Sequence, residues 1–510
     1  LLSSGQPSRT TNHYAMPFNS YPYIVFILAV VLAFLLLERR FPWAKRAFLL
    51  LISYAFYAWW RADFVLLLVG STIVNYAIGG EITRRHSLLK SVRELLLAGL
   101  IFNLGLIGLF KYAGLFVASA DGLLGLSYPI PHLFLPLAIS FFTFEQISYL
   151  VDAAEGKAQR YSFLDYALFV SYFPHLIAGP IVRYNDLIPQ FSQSRTPVER
   201  DNDLSLGVTL FTIGLAKKTL IADNLAPFAD VVFTAAHQGM ALSTTDAWLG
   251  TLFFAFQIYF DFSAYTDMAL GSSCMLGIRL PFNFNSPYKS ESIIEFWRRW
   301  HISLSTFLRD YLYFRLGGNR KGAPRRYANL MITMLLGGLW HGANWTFMIW
   351  GGLHGFYLIV NHVWRNLWAN ADLKLPPILK SLAHPASVFL TFAATTVAWV
   401  VFRSEDFPSA MLMLRGLCGE GGRSSLITFS PLAAVALIAL FAIVWFAPNS
   451  MEMTWSYRPA LDPPIGTSNV RQIRRLRWQP SRGTAVAFGL VCIAAVLALS
   501  NLSPFIYFQF

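Results

Sequence analysis

Long apolar stretches with few or no charged residues recur along the whole sequence, and they restrict the fold more than any other feature. Backbone groups in lipid must be hydrogen-bonded within the protein, which limits spanning segments to helices or closed barrels. Most stretches approach the ~20 residues that a helix needs to cross a bilayer. We therefore predict an all-α, polytopic integral membrane protein with roughly 11–13 spans. The stretches lie near residues 21–37, 47–60, 63–80, 95–120, 134–151, 163–180, 205–222, 247–272, 328–347, 347–364, 387–402, 429–447 and 485–503.

The composition supports this prediction and excludes several other classes. Hydrophobic residues make up 55% of the 510 residues and charged residues only 13%, about half of the ~25% found in soluble proteins. Aromatic residues reach 16%, which argues against a disordered chain. The three cysteines, Cys274, Cys418 and Cys492, are isolated in the sequence. We therefore predict no disulfide scaffold, no metal site and no bound cofactor.

The net charge of +13 is concentrated in two segments. Residues 289–326 carry nine Lys/Arg against three Asp/Glu, and residues 455–483 carry six Arg against one Asp. Basic loops of this kind are typical of the cytoplasmic side of membrane proteins, or of loops that meet anionic headgroups or ligands. We predict contact with the lipid bilayer and none with nucleic acid. The basic loop 38–46 is likewise expected in the cytoplasm.

The domain organisation is predicted as one membrane domain over residues 16–510, after a disordered extension at residues 1–15. Segment 273–327 interrupts the apolar pattern with prolines, asparagines, paired arginines and tryptophans, so it cannot be one spanning helix. Helical spacing of Trp297, Trp300, Leu304 and Phe307 predicts a short amphipathic helix there. Irregular backbone at membrane depth needs surrounding protein or a water-filled cavity. We therefore expect a re-entrant or amphipathic segment beside a cavity.

Two histidines are the main candidates for chemistry. His341 lies in the apolar run LLGGLWHGANW, and intramembrane ionisable residues are functional candidates by default. His301 lies in EFWRRWHISLS, 40 residues earlier. A neutral imidazole can act as a general base, but a buried histidine bonded to a backbone carbonyl or to Asn344 is an equally good interpretation of His341. For His301, a side chain at the membrane interface without chemistry is the competing interpretation.

Other ionisable residues in apolar sequence favour structural roles. This holds for His175, His354, His362 and Glu145, and for Asp261 with Asp267. The two aspartates are six residues apart, which places them about 120° apart around a helix. We expect buried hydrogen bonds rather than a paired acid and base, with Asp261 beside Ser263 and Tyr265 anchoring Arg or backbone groups. The repeated glycines of GGLWHG and GGLHG at 337–342 and 351–355 predict a close-packing helix face.

Familiar enzyme signatures are absent from the sequence. There is no phosphate-binding GxxxxGK[ST], no GxGxxG, no HExxH and no GxSxG. A secondary transporter stays open, because broken helices and midplane charges also occur in transporters. No pair of matching halves supports that alternative.

Two sequence segments resemble the membrane-bound O-acyltransferases, specifically the alginate O-acetyltransferase branch. They are PFNFNSPYKSESIIEFWRRWHISLSTFLRDYLYFRLGGNRKG at 281–322 and LLGGLWHGANWTFMIWGGLHG at 335–355. Ala138 occupies a place where many relatives are expected to carry glycine, a change that we expect to affect helix packing rather than chemistry. Further similar segments are residues 135–152, 171–184, 260–271 and 505–510.

The resemblance implies a fold and a function. The fold would be a helical ring around a thinned centre, with cytoplasmic and periplasmic funnels that meet near the histidines. His341 corresponds to the principal catalytic histidine of the family and His301 to its second motif histidine. The enzyme would take acetyl from a cytoplasmic donor, acetyl-CoA or another acyl donor, and pass it across the bacterial inner membrane. A periplasmic acetyltransferase partner would then acetylate the polysaccharide acceptor.

We accordingly predict a membrane O-acetyltransferase for an exported polysaccharide, with alginate as the favoured acceptor. The alternatives within the family are O-acetylation of peptidoglycan or cellulose and D-alanyl transfer to teichoic acid. The alternative from another class is a polysaccharide or acyl-group transporter without covalent chemistry. Besides the two histidines, the predicted substrate-contacting residues are Trp297, Arg298, Trp340, Asn344, Asp261 and Tyr265.

Overall fold

Helices form all of the regular structure in the part of the chain that the structure describes. The structure is a computed structural model and describes residues 16–125, 133–177, 179–370, 376–422, 426, 431–461, 477–500 and 505–506. The predicted extension at residues 1–15 lies outside these ranges. The α-helices are Tyr21–Arg40, Lys45–Trp60, Asp63–Ser87, Arg93–Ile107, Ala113–Leu124, Ile139–Ala154, Phe163–Ser171, Phe173–Leu176, Tyr184–Leu187, Pro197–Ala216, Asp223–His237, Thr244–Met275, Ile293–Arg299, Ile302–Phe307, Gly322–His341, Trp345–Asn370, Pro377–Arg403, Phe407–Leu417, Pro431–Phe446, Ser450–Thr454 and Arg482–Leu497.

Each predicted apolar stretch contains all or part of a helix, which agrees with the all-α membrane fold. Five helical segments among the described residues are long and apolar enough to cross a bilayer, and a pair bent by 50° gives a sixth. Other described helices are shorter or less apolar, so the predicted 11–13 spans and the single domain over residues 16–510 stay predictions. The five are Tyr21–Arg40, Asp63–Ser87, Arg93–Leu124, Pro197–His237 and Ser381–Arg403.

The long helix Thr244–Met275 forms the centre of the bundle. Every residue from position 253 to 276 is buried. Helices Pro197–Ala216, Asp223–His237 and Phe407–Leu417 pack around it. The side chain of Ser243 caps its first turn by accepting a hydrogen bond from the backbone N–H of Asp246. Apolar residues lie on all sides of this helix, as expected for a helix in the interior.

Helices Gly322–His341 and Trp345–Asn370 form a tight antiparallel pair through the glycines predicted to form a close-packing face. A Cβ atom added at Gly338 would lie 2.2 Å from the carbonyl oxygen of Phe347, and one at Gly351 would lie 2.2 Å from that of Met334. Only glycine permits this approach of two backbones. The prediction is confirmed, and the contact fixes the end of the first helix, where His341 lies.

Segment 273–327 is broken as predicted, but the amphipathic helix predicted through Trp297 and Phe307 is interrupted. Helix Ile293–Arg299 ends before Trp300, and a new helix begins at Ile302. Between them His301 adopts a left-handed backbone conformation with φ 43°. A single non-glycine residue in this conformation ends the regular helical path. The side-chain spacing alone did not reveal the break, because both short helices retain helical periodicity.

Ala138 also has a left-handed backbone, with φ 65° and ψ 6°, immediately before helix Ile139–Ala154. We expected the change from glycine to alanine at this position to affect helix packing, but the backbone conformation gives a more direct reason for glycine here. Glycine adopts positive φ without steric cost, whereas a Cβ atom collides with the backbone there. The backbone conformation therefore explains why glycine suits this position.

Substitution of Ala138 by glycine should stabilise the protein. Relief of the left-handed strain is worth about 1 kcal/mol, and we expect a higher melting temperature in detergent. Ala216 has ordinary helical angles, φ −62° and ψ −44°, so Ala216→Gly is the matched control and should destabilise by about 0.5–1 kcal/mol. Equal losses in both variants would contradict the assigned backbone of Ala138.

Candidate active site

The fold brings the two candidate histidines together. The ring centroids of His301 and His341 are 6.5 Å apart. Both side chains are buried, with exposed fractions of 0% and 5%. The two rings are therefore close enough for both imidazoles to act on one small group. Two residues that are 40 positions apart in the sequence therefore form one site.

His341 is the last residue of helix Gly322–His341, and two side chains from another helical segment hold this helix end. Lys111 donates to the carbonyl oxygen of Trp340, and Tyr112 donates through its hydroxyl to that of Leu339 at 2.7 Å. The last carbonyls of a helix have no partner within the helix, and a cation there also complements the helix dipole. Lys111 and Tyr112 therefore fix the residues immediately before the imidazole.

Lys111 is a site residue that the sequence analysis missed. It lies in the apolar stretch 95–120, inside a π-helical turn at Gly108–Tyr112. Its ammonium group also lies 5.9 Å from the ring centroid of Trp340 and 3.3 Å from the hydroxyl oxygen of Ser140. A lysine within an apolar stretch was the available signal, because such residues are functional candidates by default.

Aromatic rings enclose the two imidazoles. The ring of Trp340 lies 6.0 Å from His301 and 5.1 Å from His341, between centroids. Phe262 contacts His301 at 4.8 Å, and Trp350 and Phe402 contact His341 at 5.2 and 5.4 Å. These rings exclude water and leave few positions for a reacting group. Trp340 thus lies beside both imidazoles, and its contact with substrate stays a prediction.

Trp297 is placed one layer further out and binds a third histidine. Its indole N–H lies 3.3 Å from Nδ1 of His354. The ring of His354 lies 4.8 Å from Trp350, which in turn contacts His341. His354 is fully buried. It supports the aromatic wall, which agrees with the structural role predicted for it.

Asp261 and Tyr265 lie in the central helix and are held by other residues. One carboxylate oxygen of Asp261 lies 2.6 Å from Nζ of Lys218, and the other accepts the backbone N–H of Ile506 at 2.9 Å. Tyr265 stacks between Phe18 and Phe505. The predicted anchoring role of Asp261 is thus met by a lysine and a backbone group.

The other buried acids are also paired, as expected. Asp267 binds Lys217 at 2.7 Å and accepts from the hydroxyl of Ser450 at 2.8 Å. Glu145 lies 3.1 Å from Nδ1 of His175, whose Nε2 lies 3.0 Å from the carbonyl oxygen of Phe169. No group of three or more His, Cys, Asp or Glu side chains among the described residues could hold a metal ion.

Arg298 and Asn344 are placed apart from the paired rings. Arg298 is exposed. Asn344 donates through its side-chain amide to the carbonyl oxygen of Glu405 at 2.7 Å and accepts the backbone N–H of Thr346 at 3.1 Å. It therefore closes the turn after His341 and joins this turn to the loop at Glu405. Contact of either residue with substrate stays a prediction.

A continuous cleft approaches the histidines from one side. Its inner part has a volume of about 440 Å³, and its outer part has about 600 Å³. The two parts share Arg183, Asp310 and Tyr311. Ile302 and Ser303, which directly follow His301, form the inner wall. The cleft is thus lined by the two residues that follow His301 in the sequence.

Acidic and basic residues line this cleft in nearly equal numbers. Arg183 and Arg309 both bind Asp310, and Arg315 binds Glu155. Hydrogen bonds from Arg315 and Lys157 hold the pKa of Glu155 below its usual range. Arg309, Asp310, Arg315 and Arg320 of segment 289–326 thus lie in a cleft where acidic side chains pair with several of the arginines. The lining residues with charge are Asp152, Glu155, Lys157, Arg183, Asp186, Arg309, Asp310, Arg315 and Arg320.

Comparison with known proteins finds similarity over nearly the whole chain. Residues 106–402 match the membrane-bound O-acyltransferase family. The chain is 39% identical to the probable alginate O-acetylase AlgI of Pseudomonas aeruginosa, over 97% of this chain and 100% of that protein. It is 42% identical to the peptidoglycan O-acetyltransferase of Helicobacter pylori over 75% of each chain. The teichoic acid D-alanyltransferase of Streptococcus thermophilus is 27% identical over 52% of this chain and 68% of that protein.

The cleft should be accessible to water up to its inner wall. In a background where Cys418 and Cys492 are replaced by serine, Thr306→Cys should react with a membrane-impermeant maleimide, because Thr306 lines the cleft. Ser272→Cys is the matched control and should stay unlabelled, because Ser272 is fully buried. Labelling is followed by a gel mobility shift. Equal protection of both cysteines would show that the cleft is closed.

Proposed function

The chain belongs to the membrane-bound O-acyltransferase family, and from this premise we propose that it transfers acetyl from acetyl-CoA towards an exported polysaccharide, with alginate as the favoured acceptor. It is a multi-pass membrane O-acyltransferase, so the proposal concerns its donor, acceptor and catalytic residues. The observation that supports it most is the pairing of His301 with His341 beside the end of a charged cleft. Similarity to a probable alginate O-acetylase over 97% of the chain favours alginate.

His341 acts as the general base in the proposed reaction. Its imidazole takes the proton of the acceptor hydroxyl while the hydroxyl oxygen attacks the acetyl carbonyl carbon of the thioester. A carbon–oxygen bond forms, the carbon–sulfur bond breaks, and the imidazolium returns the proton to the departing thiolate. His301, 6.5 Å away, orients the acceptor or assists the proton transfer. Trp340 and Trp350 keep water away from the thioester.

The donor enters through the cleft in this proposal. Arg315, Arg320 and Lys157 lie at its outer part and can bind the phosphate groups of acetyl-CoA, for which Arg is well suited. The acetyl end must then pass the wall formed by Ile302 and Ser303. The basic segment 289–326 supports a cytoplasmic position for this mouth, and the proposed membrane is a bacterial inner membrane. A periplasmic partner protein receives the acetyl group on the other side.

Other acceptors and another class of function make different experimental predictions. Peptidoglycan or cellulose O-acetylation would give acetyl esters on those polymers, and D-alanyl transfer would give alanyl esters on teichoic acid. A transporter without covalent chemistry would release no CoA. Purified protein incubated with radiolabelled acetyl-CoA and a candidate partner separates the two classes, because only the enzyme produces free CoA and a labelled acceptor.

Replacement of His341 by alanine should abolish acetyl transfer, and His301→Ala should lower its rate by about 10²–10⁴-fold, the typical contribution of acid–base catalysis. The measurement is CoA release by purified protein of unchanged melting temperature. His362→Ala is the matched control, because His362 is a half-buried histidine outside the paired rings, and it should retain activity. Normal turnover in His341→Ala would remove this residue from the proposed mechanism.

Charge reversal at the cleft mouth should weaken donor binding. Arg320 is exposed and lines the outer cleft, so Arg320→Glu should raise KM for acetyl-CoA by roughly 3- to 10-fold, with a larger effect at low salt because salt screens exposed charges. Arg93→Glu makes the same charge change at an exposed helix start away from the cleft. An equal rise of KM in both variants would contradict donor entry at this mouth.

A further inference from the structure

We infer that Asn283 is a positioning residue that caps the helix after His301 and so leaves the imidazole of His301 directed at its partner histidine. The inference rests on the proposed function, because it assumes that His301 takes part in acetyl transfer. It is carried by three features: a left-handed residue, a helix start whose preceding residue provides no cap, and a buried amide that takes over the capping.

The first feature is the conformation of His301. Its φ of 43° and ψ of 56° lie in the left-handed region, where a side chain with a Cβ atom is strained. Such strain persists only where the surroundings fix it, and it is concentrated at functional sites. The conformation separates helix Ile293–Arg299 from helix Ile302–Phe307 and turns the imidazole towards Phe262 and Trp340.

The second feature is the uncapped start of helix Ile302–Phe307. The first N–H groups of a helix have no carbonyl partner within the helix. The residue before the helix usually accepts one of them through its side chain. Here that residue is His301, and it makes no side-chain cap hydrogen bond. A histidine committed to capping would not be available for a reacting group.

The third feature is Asn283, which supplies the cap from another part of the chain. Its backbone carbonyl oxygen accepts the N–H of Ile302 at 3.0 Å, and its side-chain Oδ1 accepts the N–H of Ser303 at 3.0 Å. Asn283 is fully buried, so no water competes for these bonds. Both N–H groups directly after the left-handed residue are therefore bound by one asparagine.

The neighbouring residues fix Asn283 in turn. Two positions further on, the backbone N–H of Asn285 donates to the carbonyl oxygen of Arg299, and the Arg299 side chain donates to the carbonyl oxygen of Asn285, both at 3.0 Å. Residues 283–285 thus run beside residues 299–303 and hold both sides of the break. The hydroxyl of Ser303 accepts the N–H of Ile181 at 3.0 Å, which links the same turn to the cleft wall.

The side chain of Asn285 provides a matched control. It is also buried, and its Oδ1 accepts a hydrogen bond from Asn449 at 3.2 Å. Asn285→Ala therefore removes a buried side-chain hydrogen bond in the same loop without removing the acceptor for Ser303. Asn283→Leu preserves the side-chain size and removes the acceptor, whereas Asn283→Asp preserves an acceptor oxygen at the same position.

The test measures kcat and KM for acetyl-CoA in purified variants by CoA release. Asn283→Leu should lower kcat by roughly 10- to 100-fold, because small displacements of a catalytic group cost that much, and KM should stay within about threefold because the donor mouth is untouched. Asn283→Asp should restore kcat to within about threefold of the unmodified protein, and Asn285→Ala should stay in the same range. Melting temperatures show whether all variants are folded.

Two results would overturn the inference. One is a kcat for Asn283→Leu equal to that of Asn285→Ala, which would mean that the cap is dispensable. The other is a folded Asn283→Asp variant whose kcat is lowered about 10-fold or more relative to the unmodified protein. This comparison does not need the leucine variant, so it decides even if Asn283→Leu fails to insert. His301→Ala separates failure of this inference from failure of the proposed function. If His301→Ala is active, the proposed role of His301 is wrong. If His301→Ala is inactive but Asn283→Leu is active, only the positioning role of Asn283 is wrong.

Discussion

The structure depends on the rule that a break in a helix inside a membrane protein must have its backbone groups hydrogen-bonded by the protein itself, because lipid offers no partners. Both catalytic candidates lie at such breaks. After His301, the free N–H groups are accepted by Asn283. Before His341, the free carbonyl oxygens accept from Lys111 and Tyr112. Each break is therefore stabilised from a distant part of the chain, and each places an imidazole at a helix end.

Close packing then sets the distance between the two breaks. Gly338 and Gly351 bring two helix backbones together just before His341, and the rings of Trp340 and Phe262 fill the space around the paired histidines. A dense interior transmits small changes directly to the site, since it has few voids to absorb them. The same packing leaves the imidazoles nearly unexposed, so a donor that enters through the cleft, as proposed, has to pass the inner cleft wall to reach them.

The sequence predicted the features that depend on local pattern: the helices, the broken segment, the glycine face and the two histidines. It could not predict features that depend on distant partners, such as the 6.5 Å spacing between the imidazoles or the ion pairs of Arg183 with Asp310 and of Arg315 with Glu155 in the cleft. The break at His301 was missed because a single left-handed residue preserves the helical spacing on either side. Lys111 was predictable, because a lysine within an apolar stretch is itself a signal.

The most direct test of the central claim is the position of a bound donor. The protein would be reconstituted in lipid nanodiscs with a non-hydrolysable acetyl-CoA analogue, and the distance from the analogue's acyl carbon to the nearest nitrogen of each imidazole would be measured by cryo-electron microscopy. We expect the nucleotide end at Arg315 and Arg320 and the acyl end beside His301 and His341. An analogue bound elsewhere, or one with packed side chains between its acyl end and both imidazoles, would contradict the claim.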